Sequence, residues 1–494
     1  MLQEGNWWNT TMNLEPRLEK PPLPTWLTAI SVKYLGDLNS LFILRLPAAL
    51  IATAMVLFFF GFCRAISTEK YLPFIGGLVM ATSLLIIQQG RTNSWDIYTH
   101  AFMVGSIWQM VEGIKRKSWL NILFSLCFMA LSILSKGPVS LYALWIPFVI
   151  AYSIGDKFVL LKNHWGKLIV FLLLSLVIGF GWNIYMHIFQ TEVSEFVLQK
   201  ETNSWADRHT RPFYFYLHFP IYIGIWAVLL ISTFFYKYAA PRINNYGNYR
   251  FVVFWVLLSI FFLSVIPTKK ERYLLPAIIP MCLAVTYIIY AIYQRFKANN
   301  LTYWDNVVVS VFSCTLHFPA LVLPFVIGYF YRDSIDTTTI LSASLISALG
   351  ILGIVLWKRK KLPLLFGNSI VIVCIFCLGL IPKTAEWFYH YNSFNSLSEI
   401  GGNERLTPFQ YYTETEDTDP RIVWQIGKPT QPISSISLED STKYPLVLIS
   451  FSPIENIIAT ELLEQRTVSD FGLYDIFRKE SKWKYRVQLI ELKP

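Results

Sequence analysis

Charge is scarce in this chain. Only 15% of its 494 residues are Asp, Glu, Lys or Arg, against 54% hydrophobic, and a water-soluble globule of that composition would expose far too much apolar surface. The apolar residues come in runs without alternation, which excludes barrel strands. The runs are long enough for helices to cross a hydrocarbon core, which takes roughly 20 residues. Cysteine is sparse too: Cys63, Cys127, Cys282, Cys314, Cys374 and Cys377 all lie in apolar runs, so no disulfide framework is implied. Cys374 and Cys377 spell CxxC inside SIVIVCIFCLGLI, a packing environment rather than a redox or metal site. The histidines are scattered without ligand spacing such as HxxxH, and nothing calls for a metal or a cofactor. The net charge of +10 does not point to nucleic acid, because the cations cluster in short loops as topology signals do. No cleavable signal peptide is visible, the first forty residues being polar, aromatic and proline-containing.

Twelve spanning helices are predicted, near residues 42 to 65, 72 to 90, 97 to 114, 119 to 135, 138 to 155, 167 to 189, 213 to 236, 251 to 266, 273 to 293, 306 to 330, 337 to 357 and 363 to 385. Six basic loops are expected on the cytoplasmic side, among them Lys115 to Lys117, Lys237 to Arg250, Arg295 with Lys297, and Lys358 to Lys361. The other set, including Arg91 to Asp96, Ser135 to Pro138, Gln190 to Pro212 and Pro267 to Arg272, is then extracytoplasmic. Three parts follow. Residues 1–41 form an extracytoplasmic loop with an interfacial helix, 42–386 the polytopic transmembrane domain, and 387–494 a small soluble extracytoplasmic α/β domain. Gly401-Gly402 reads as a linker. RIVWQIG, YPLVLIS and YRVQLIEL read as strands and ENIIATELLEQ as a helix.

The unusual polar clusters collect on the extracytoplasmic side, and each has a plainer alternative. Pro21 and Pro22 fix an extended backbone that holds Lys20 at the membrane surface, either to meet a lipid phosphate or simply as an interfacial lysine. Asp96, in RTNSWD, serves chemistry or caps the following helix. Lys136, in SKGP, joins a site or merely suits a helix C-terminus. In ETNSWADRHTRP, Glu201, Arg208 and Arg211 are candidates beside aromatic residues that also suit membrane anchoring. Lys269, Lys270 and Arg272 oppose the positive-inside trend, which favours a functional reason for them. Cations beside the acids Asp96, Glu201 and Asp207 suit an anionic lipid-linked substrate: they neutralise a phosphate leaving group while a carboxylate activates or orients the acceptor.

In order along the chain, GNWWNT, EKPPLPTW, LRLPAAL, RTNSWD, SKGP, RPFYFYL and KKERYLLP resemble the motifs of glycosyltransferase family 39, membrane proteins that include the lipid A aminoarabinose transferase and, more distantly, the protein O-mannosyltransferases. The resemblance covers essentially the whole chain. It implies the C-type glycosyltransferase fold, a bacterial plasma-membrane location, a polyprenyl-phosphate-linked sugar donor, and a lipid, glycan or protein acceptor. By position it implies that Lys20 and Tyr273 hold the carrier phosphate and that Asp96 is an acidic residue of the active site. Arg208 matches the family's loop arginine, with Arg211 as rival. Lys269 and Arg272 are further candidates for the phosphate, and Lys136 and Glu201 for the site.

One departure bears on activity. Relatives carry a spanning helix and an acidic motif well before the KPPL lysine, whereas Lys20 here is the twentieth residue. The expectation is that Met1 is an internal methionine of a longer protein. The competing classes are a lipid or lipid-linked sugar flippase and an inactive pseudoenzyme. A flippase would place its polar groups at mid-membrane in broken helices.

Overall fold

The computed structural model describes residues 1–2, 5–13, 15–38, 40–155, 159–192, 194–195, 197, 199, 210–331, 335–383, 395–416, 418–476 and 484–493. These form two units. One comprises Met1–Thr10, Arg17–Ile327 and Ile340–Cys377, and the other Thr11–Pro16, Gly328–Thr339 and Leu378–Pro494.

The first unit is helical. Helix α1 (Leu23–Leu35) starts on prolines and ends on Gly36 at φ 83°, a left-handed stop that glycine adopts freely. Helix α2 (Leu41–Ile66) begins at Ser40, whose side chain accepts from the Ile43 amide, and contains Pro47. That proline has no N–H for the Ile43 carbonyl, and lipid offers no replacement donor. The Ser31 hydroxyl of α1 donates to this carbonyl at 2.9 Å, so the proline in one helix anchors the other.

There follow α3 (Leu72–Ala81), α4 (Leu84–Arg91), α5 (Trp95–Arg116), α6 (Trp119–Lys136), a π-turn (Leu141–Trp145) leading into α7 (Ile146–Gly155), α8 (Val159–Gly179) and α9 (Gly181–Phe189). A 3-10 segment, Phe213–Trp226, then precedes α10 (Ala227–Thr233), α11 (Tyr236–Ile243), α12 (Tyr249–Val265), α13 (Leu275–Lys297), α14 (Tyr303–Phe330), α15 (Thr337–Lys358) and α16 (Leu362–Ile375). Among the described residues, each of the twelve predicted spans falls mainly on helical segments, α-helical or 3-10. Seven helices among the described residues are long and apolar enough to cross a membrane, or nine if each bent pair is one span. Of the other predicted spans, Leu141–Gly155 and Tyr249–Val265 are shorter, and α5 carries more polar residues. Helix α13 is apolar and buried along its spanning window, whereas Phe325, Tyr329 and Leu341 on the peripheral helices are exposed, as suits a lipid-facing surface. The chain is a multi-pass membrane protein.

Three predicted spans are broken among the described residues, one of them between α8 and α9, which meet at 46°. Helices α3 and α4 meet at 57°, where Thr82 and Ser83 turn their hydroxyls back to the Leu78 and Val79 carbonyls. The Trp226 indole donates to Thr82 at 2.9 Å. Gly224 interrupts the 3-10 segment at φ 71°, and a Cβ there would come within 3.3 Å of the Leu84 nitrogen. The α3–α4 break and the Gly224 break therefore pack on one another, with the Thr82 and Ser83 hydroxyls and the Trp226 indole hydrogen-bonded.

The second unit is built on a five-stranded sheet of β3 (Gln410–Thr413), β4 (Thr430–Pro432), β5 (Leu446–Ser450), β6 (Arg466–Asp475) and β7 (Lys484–Leu492), in the order β4-β3-β5-β7-β6. The β4, β3 and β5 strands are parallel, and β7 joins β5 and β6 antiparallel. Strand β5 is buried throughout. Val447 and Ile449 enter one apolar cluster, Leu446 and Leu448 another, as the two-residue period requires of a strand covered on both faces. A hairpin of β1 (Thr11–Met12) and β2 (Glu15–Pro16) presents Asn13 to β4, where its side chain accepts from the Thr430 amide at 2.7 Å and donates to the Thr430 carbonyl.

YPLVLIS and YRVQLIEL form β5 and β7 as predicted. RIVWQIG does not form a strand: Pro420–Ile426 is a helix, with Asp419 as N-cap, proline at its start and Gly427 left-handed at its end. Those cap signals outweigh the β-branched composition. ENIIATELLEQ divides into a 3-10 turn, Ile454–Asn456, and a short helix, Thr460–Glu464. Gly401-Gly402 is not a linker. Ser398–Gly401 is helical, Ile400 is buried in the domain core, and a Cβ on Gly401 would collide with the Ile426 carbonyl.

Candidate active site

The turn RTNSWD leads into α5 with Ser94 as the cap. Its hydroxyl accepts from the Asp96 amide at 3.3 Å and donates to Asp96 Oδ2 at 3.2 Å. Asp96 is thereby relieved of capping, and its carboxylate, 2% exposed, turns to cations from two other elements. Lys136, the last residue of α6, pairs with Oδ1. It is held there because Gly137, at φ 77°, ends the helix. Arg272, on the 3-10 turn Glu271–Leu274 that opens α13, brings Nε to 3.7 Å from Oδ2. Its side chain is 48% exposed, against 11% for Lys136.

Both cations lie against the Tyr273 ring. Lys136 Nζ is 4.7 Å and the Arg272 guanidinium 5.6 Å from its ring centroid, a placement that favours positive charge over the ring face. Tyr142 and Tyr216 lie within electrostatic reach of Asp96 and Tyr273. No motif marks them out, although Tyr216 stands in the aromatic stretch after Pro212. Its hydroxyl donates to the Lys270 carbonyl at 3.2 Å, fastening the KKERY turn. Asn93 ties the RTNSWD turn to α1, donating to Thr28 and accepting from Tyr98, each at 2.8 Å.

Four predicted site residues thus meet in one place: Asp96, Lys136, Arg272 and Tyr273. Lys20 is half-buried just ahead of α1, and Arg17, in the same segment, lies 5.7 Å over the ring of Trp95, the neighbour of Asp96. Lys269 is buried, and its ammonium donates to the Ile266 and Arg211 carbonyls at 2.6 and 3.0 Å. It clasps the backbone where Thr210 bridges Thr268. Arg211 is exposed, its guanidinium 5.8 Å from the Phe215 ring. Glu201, Asp207 and Arg208 lie outside the described residues.

A buried carboxylate flanked by one enclosed and one accessible cation can orient a hydroxyl and meet a developing negative charge in the same place. Residues 19–182 match the family described as dolichyl-phosphate-mannose-protein mannosyltransferase. A protein of Aquifex aeolicus described as uncharacterized is 24% identical over 342 residues, 66% of each chain. The undecaprenyl phosphate-alpha-4-amino-4-deoxy-L-arabinose arabinosyl transferase 2 of Pseudomonas fluorescens is 25% identical over 300 residues, 57% of this chain and 48% of its own. The chain thus spans about half to two thirds of the length of the curated relatives it matches. Among solved structures, ArnT from Cupriavidus metallidurans bound to undecaprenyl phosphate superposes with a TM-score of 0.71 at 15% identity, over 99% of this chain and 91% of that one. The chain is thus a multi-pass membrane protein that shares the C-type glycosyltransferase fold of ArnT and, over residues 19–182, is similar to the mannosyltransferase family.

Proposed function

We propose that this protein transfers a sugar from a polyprenyl-phosphate-linked donor to a lipid, glycan or protein acceptor, at the extracytoplasmic face of a bacterial plasma membrane. The observation that carries this reading is the convergence of Lys136 and Arg272 on buried Asp96 beside Tyr273. The names of the arabinosyl transferase relatives and the undecaprenyl phosphate in the ArnT structure support a donor of this class.

The acceptor hydroxyl oxygen attacks the anomeric carbon, and the bond from that carbon to the carrier phosphate oxygen breaks with inversion. The hydroxyl proton passes to Asp96, and the carrier leaves as polyprenyl phosphate. Arg272, half-exposed, moves from the carboxylate to the phosphate, joined by Lys20 and the Tyr273 hydroxyl. Lys136 stays with Asp96 and keeps it ionised until the proton arrives. Lys269 acts indirectly in this scheme, by holding the turn that presents Arg272. Because side-chain cations meet the charge of the leaving phosphate, the scheme needs no metal. A flippase is less favoured, since the charged groups gathered here lie at helix ends rather than at a break within a span: Asp96 opens α5, Lys136 closes α6 and Arg272 precedes α13.

The test is transfer of radiolabelled sugar from a panel of polyprenyl-phosphate sugars to membrane extracts. Transfer by the wild type that is lost in Asp96→Asn supports the reading. Undiminished transfer by Asp96→Asn would remove the site.

A further inference from the structure

Behind Asp96 lies a buried polar network for which the transfer scheme has no use. His100, one turn further along α5, is fully buried, and its Nδ1 is 2.7 Å from Ser140 Oγ. Ser140 Oγ is in turn 3.1 Å from Thr99 Oγ1. The Thr99 hydroxyl donates to the Ser132 carbonyl at 2.9 Å, and the Ser132 hydroxyl to the Thr99 carbonyl at 2.7 Å. With those two hydrogens committed, Thr99 Oγ1 accepts from Ser140, and Ser140 accepts from Nδ1–H of the imidazole. His100 Nε2 has no hydrogen-bond partner among the described residues. A side chain kept only for packing would do better here as a phenylalanine, since a buried polar atom without a partner is a cost.

The members of this network carry the site on either side of it. Thr99 and His100 follow Asp96 on α5, Ser132 precedes Lys136 by one turn of α6, and Ser140 stands just beyond the Gly137-Pro138 turn. We infer that His100 is a positioning residue for the Asp96–Lys136 pair. Its bond to Ser140 holds the turn after α6 against α5, and so sets where the ammonium meets the carboxylate. A misplacement of about 1 Å in such a pair is enough to cost about 10²-fold in rate. The inference rests on the reading of Asp96 given under Proposed function.

The experiment is the same transfer assay on the full chain, with kcat and donor KM measured for His100→Phe, His100→Asn, His100→Gln and Ser140→Ala, and melting followed in detergent. His100→Phe and Ser140→Ala are expected to lower kcat about 10- to 100-fold, with donor KM and melting close to wild type. His100→Asn, whose amide reaches the Nδ1 position, should restore most of kcat, and His100→Gln, which reaches toward Nε2, should not. Wild-type kcat in His100→Phe overturns the inference. So does an equal loss in His100→Asn, or a loss that follows a fall in melting temperature. Should His100→Phe fail to fold, Ser140→Ala decides, and wild-type kcat there is equally fatal. Full activity in Asp96→Asn would instead sink the proposed function, whereas an inactive Asp96→Asn beside a fully active His100→Phe would remove only the role of His100.

Discussion

Asp96 and Asp305 start from the same local geometry. Each lies in the first turn of a helix, each is buried, and each faces two cations. Asp305 is saturated. Oδ1 accepts from Arg242 Nε at 2.8 Å and from the Tyr238 hydroxyl at 3.2 Å. Oδ2 takes the Thr302 amide and hydroxyl at 2.9 and 2.7 Å, with Arg295 at 3.6 Å. Arg242 is itself held by the Tyr238 carbonyl and the Thr302 hydroxyl. Asp96 has one close partner, Lys136, and two longer contacts, one of them to a half-exposed arginine. A carboxylate that fastens helices together has all its lone pairs filled. Asp96, to which we assign chemistry, instead keeps capacity in reserve and has a half-exposed cation beside it.

The comparison would fail if the two sites answered mutation in the same way. Asp96→Asn should lower transfer by about 10²- to 10⁴-fold, with little change in melting, because the amide still accepts from Lys136 and Arg272 can turn to water. Arg242→Ala should do the reverse. Removing one partner of a buried pair commonly costs about 3–5 kcal/mol, so the detergent-solubilised protein should melt far lower, while whatever remains folded keeps its donor KM. A collapse of melting in Asp96→Asn, or normal melting in Arg242→Ala, would abolish the distinction.

Much of the Asp96 side was legible in the sequence, because cations where basic loops are disfavoured demand an explanation, as Lys269, Lys270 and Arg272 did. What could not be read was how those cations divide the work. Lys269 and Arg272 are three residues apart, yet one is buried on carbonyls and the other reaches the carboxylate, a difference set by the path of the 267–272 turn. The Asp305 cluster escaped notice for the opposite reason. Arg242 and Arg295 belong to the basic clusters expected on the cytoplasmic side, so nothing marked them, although Thr302 with Asp305 three residues later spells a capping box. The helix at Pro420–Ile426 was hidden by its Ile-Val-Trp run, with both of its caps in plain view.

Smaller effects sharpen the same rule. The Ser31 hydroxyl satisfies the carbonyl that Pro47 orphans, so Ser31→Ala should cost about 1–3 kcal/mol, and Ser31→Ala combined with Pro47→Ala should recover part of it by restoring the helical donor. If melting of the double variant were as low as that of the single one, the pairing of proline and serine would not be what anchors α1.

The smallest expected effect concerns a carboxylate held by neutral donors. Glu414, at the end of β3, accepts from the Phe451 and Ser452 amides at 3.0 Å each and from the Ser452 hydroxyl at 2.5 Å, so by the rule above it is a fastener, this time between loops of the C-terminal domain. Burial pushes its carboxyl up, but these donors outweigh burial and hold it below the usual carboxylate range. A carboxyl depressed in the folded state stabilises fully above its unfolded value, about pH 4.3, and that stabilisation is lost as pH falls through the lower folded value. Glu414→Gln should therefore lower melting of the C-terminal domain modestly at neutral pH, by about 1 kcal/mol, and the gap to wild type should close as the solution is acidified below about pH 4. Transfer activity should not change. A gap independent of pH would mean that the amide serves the Ser452 clasp as well as the charge does, and saturation by neutral donors would then not mark a structural carboxylate.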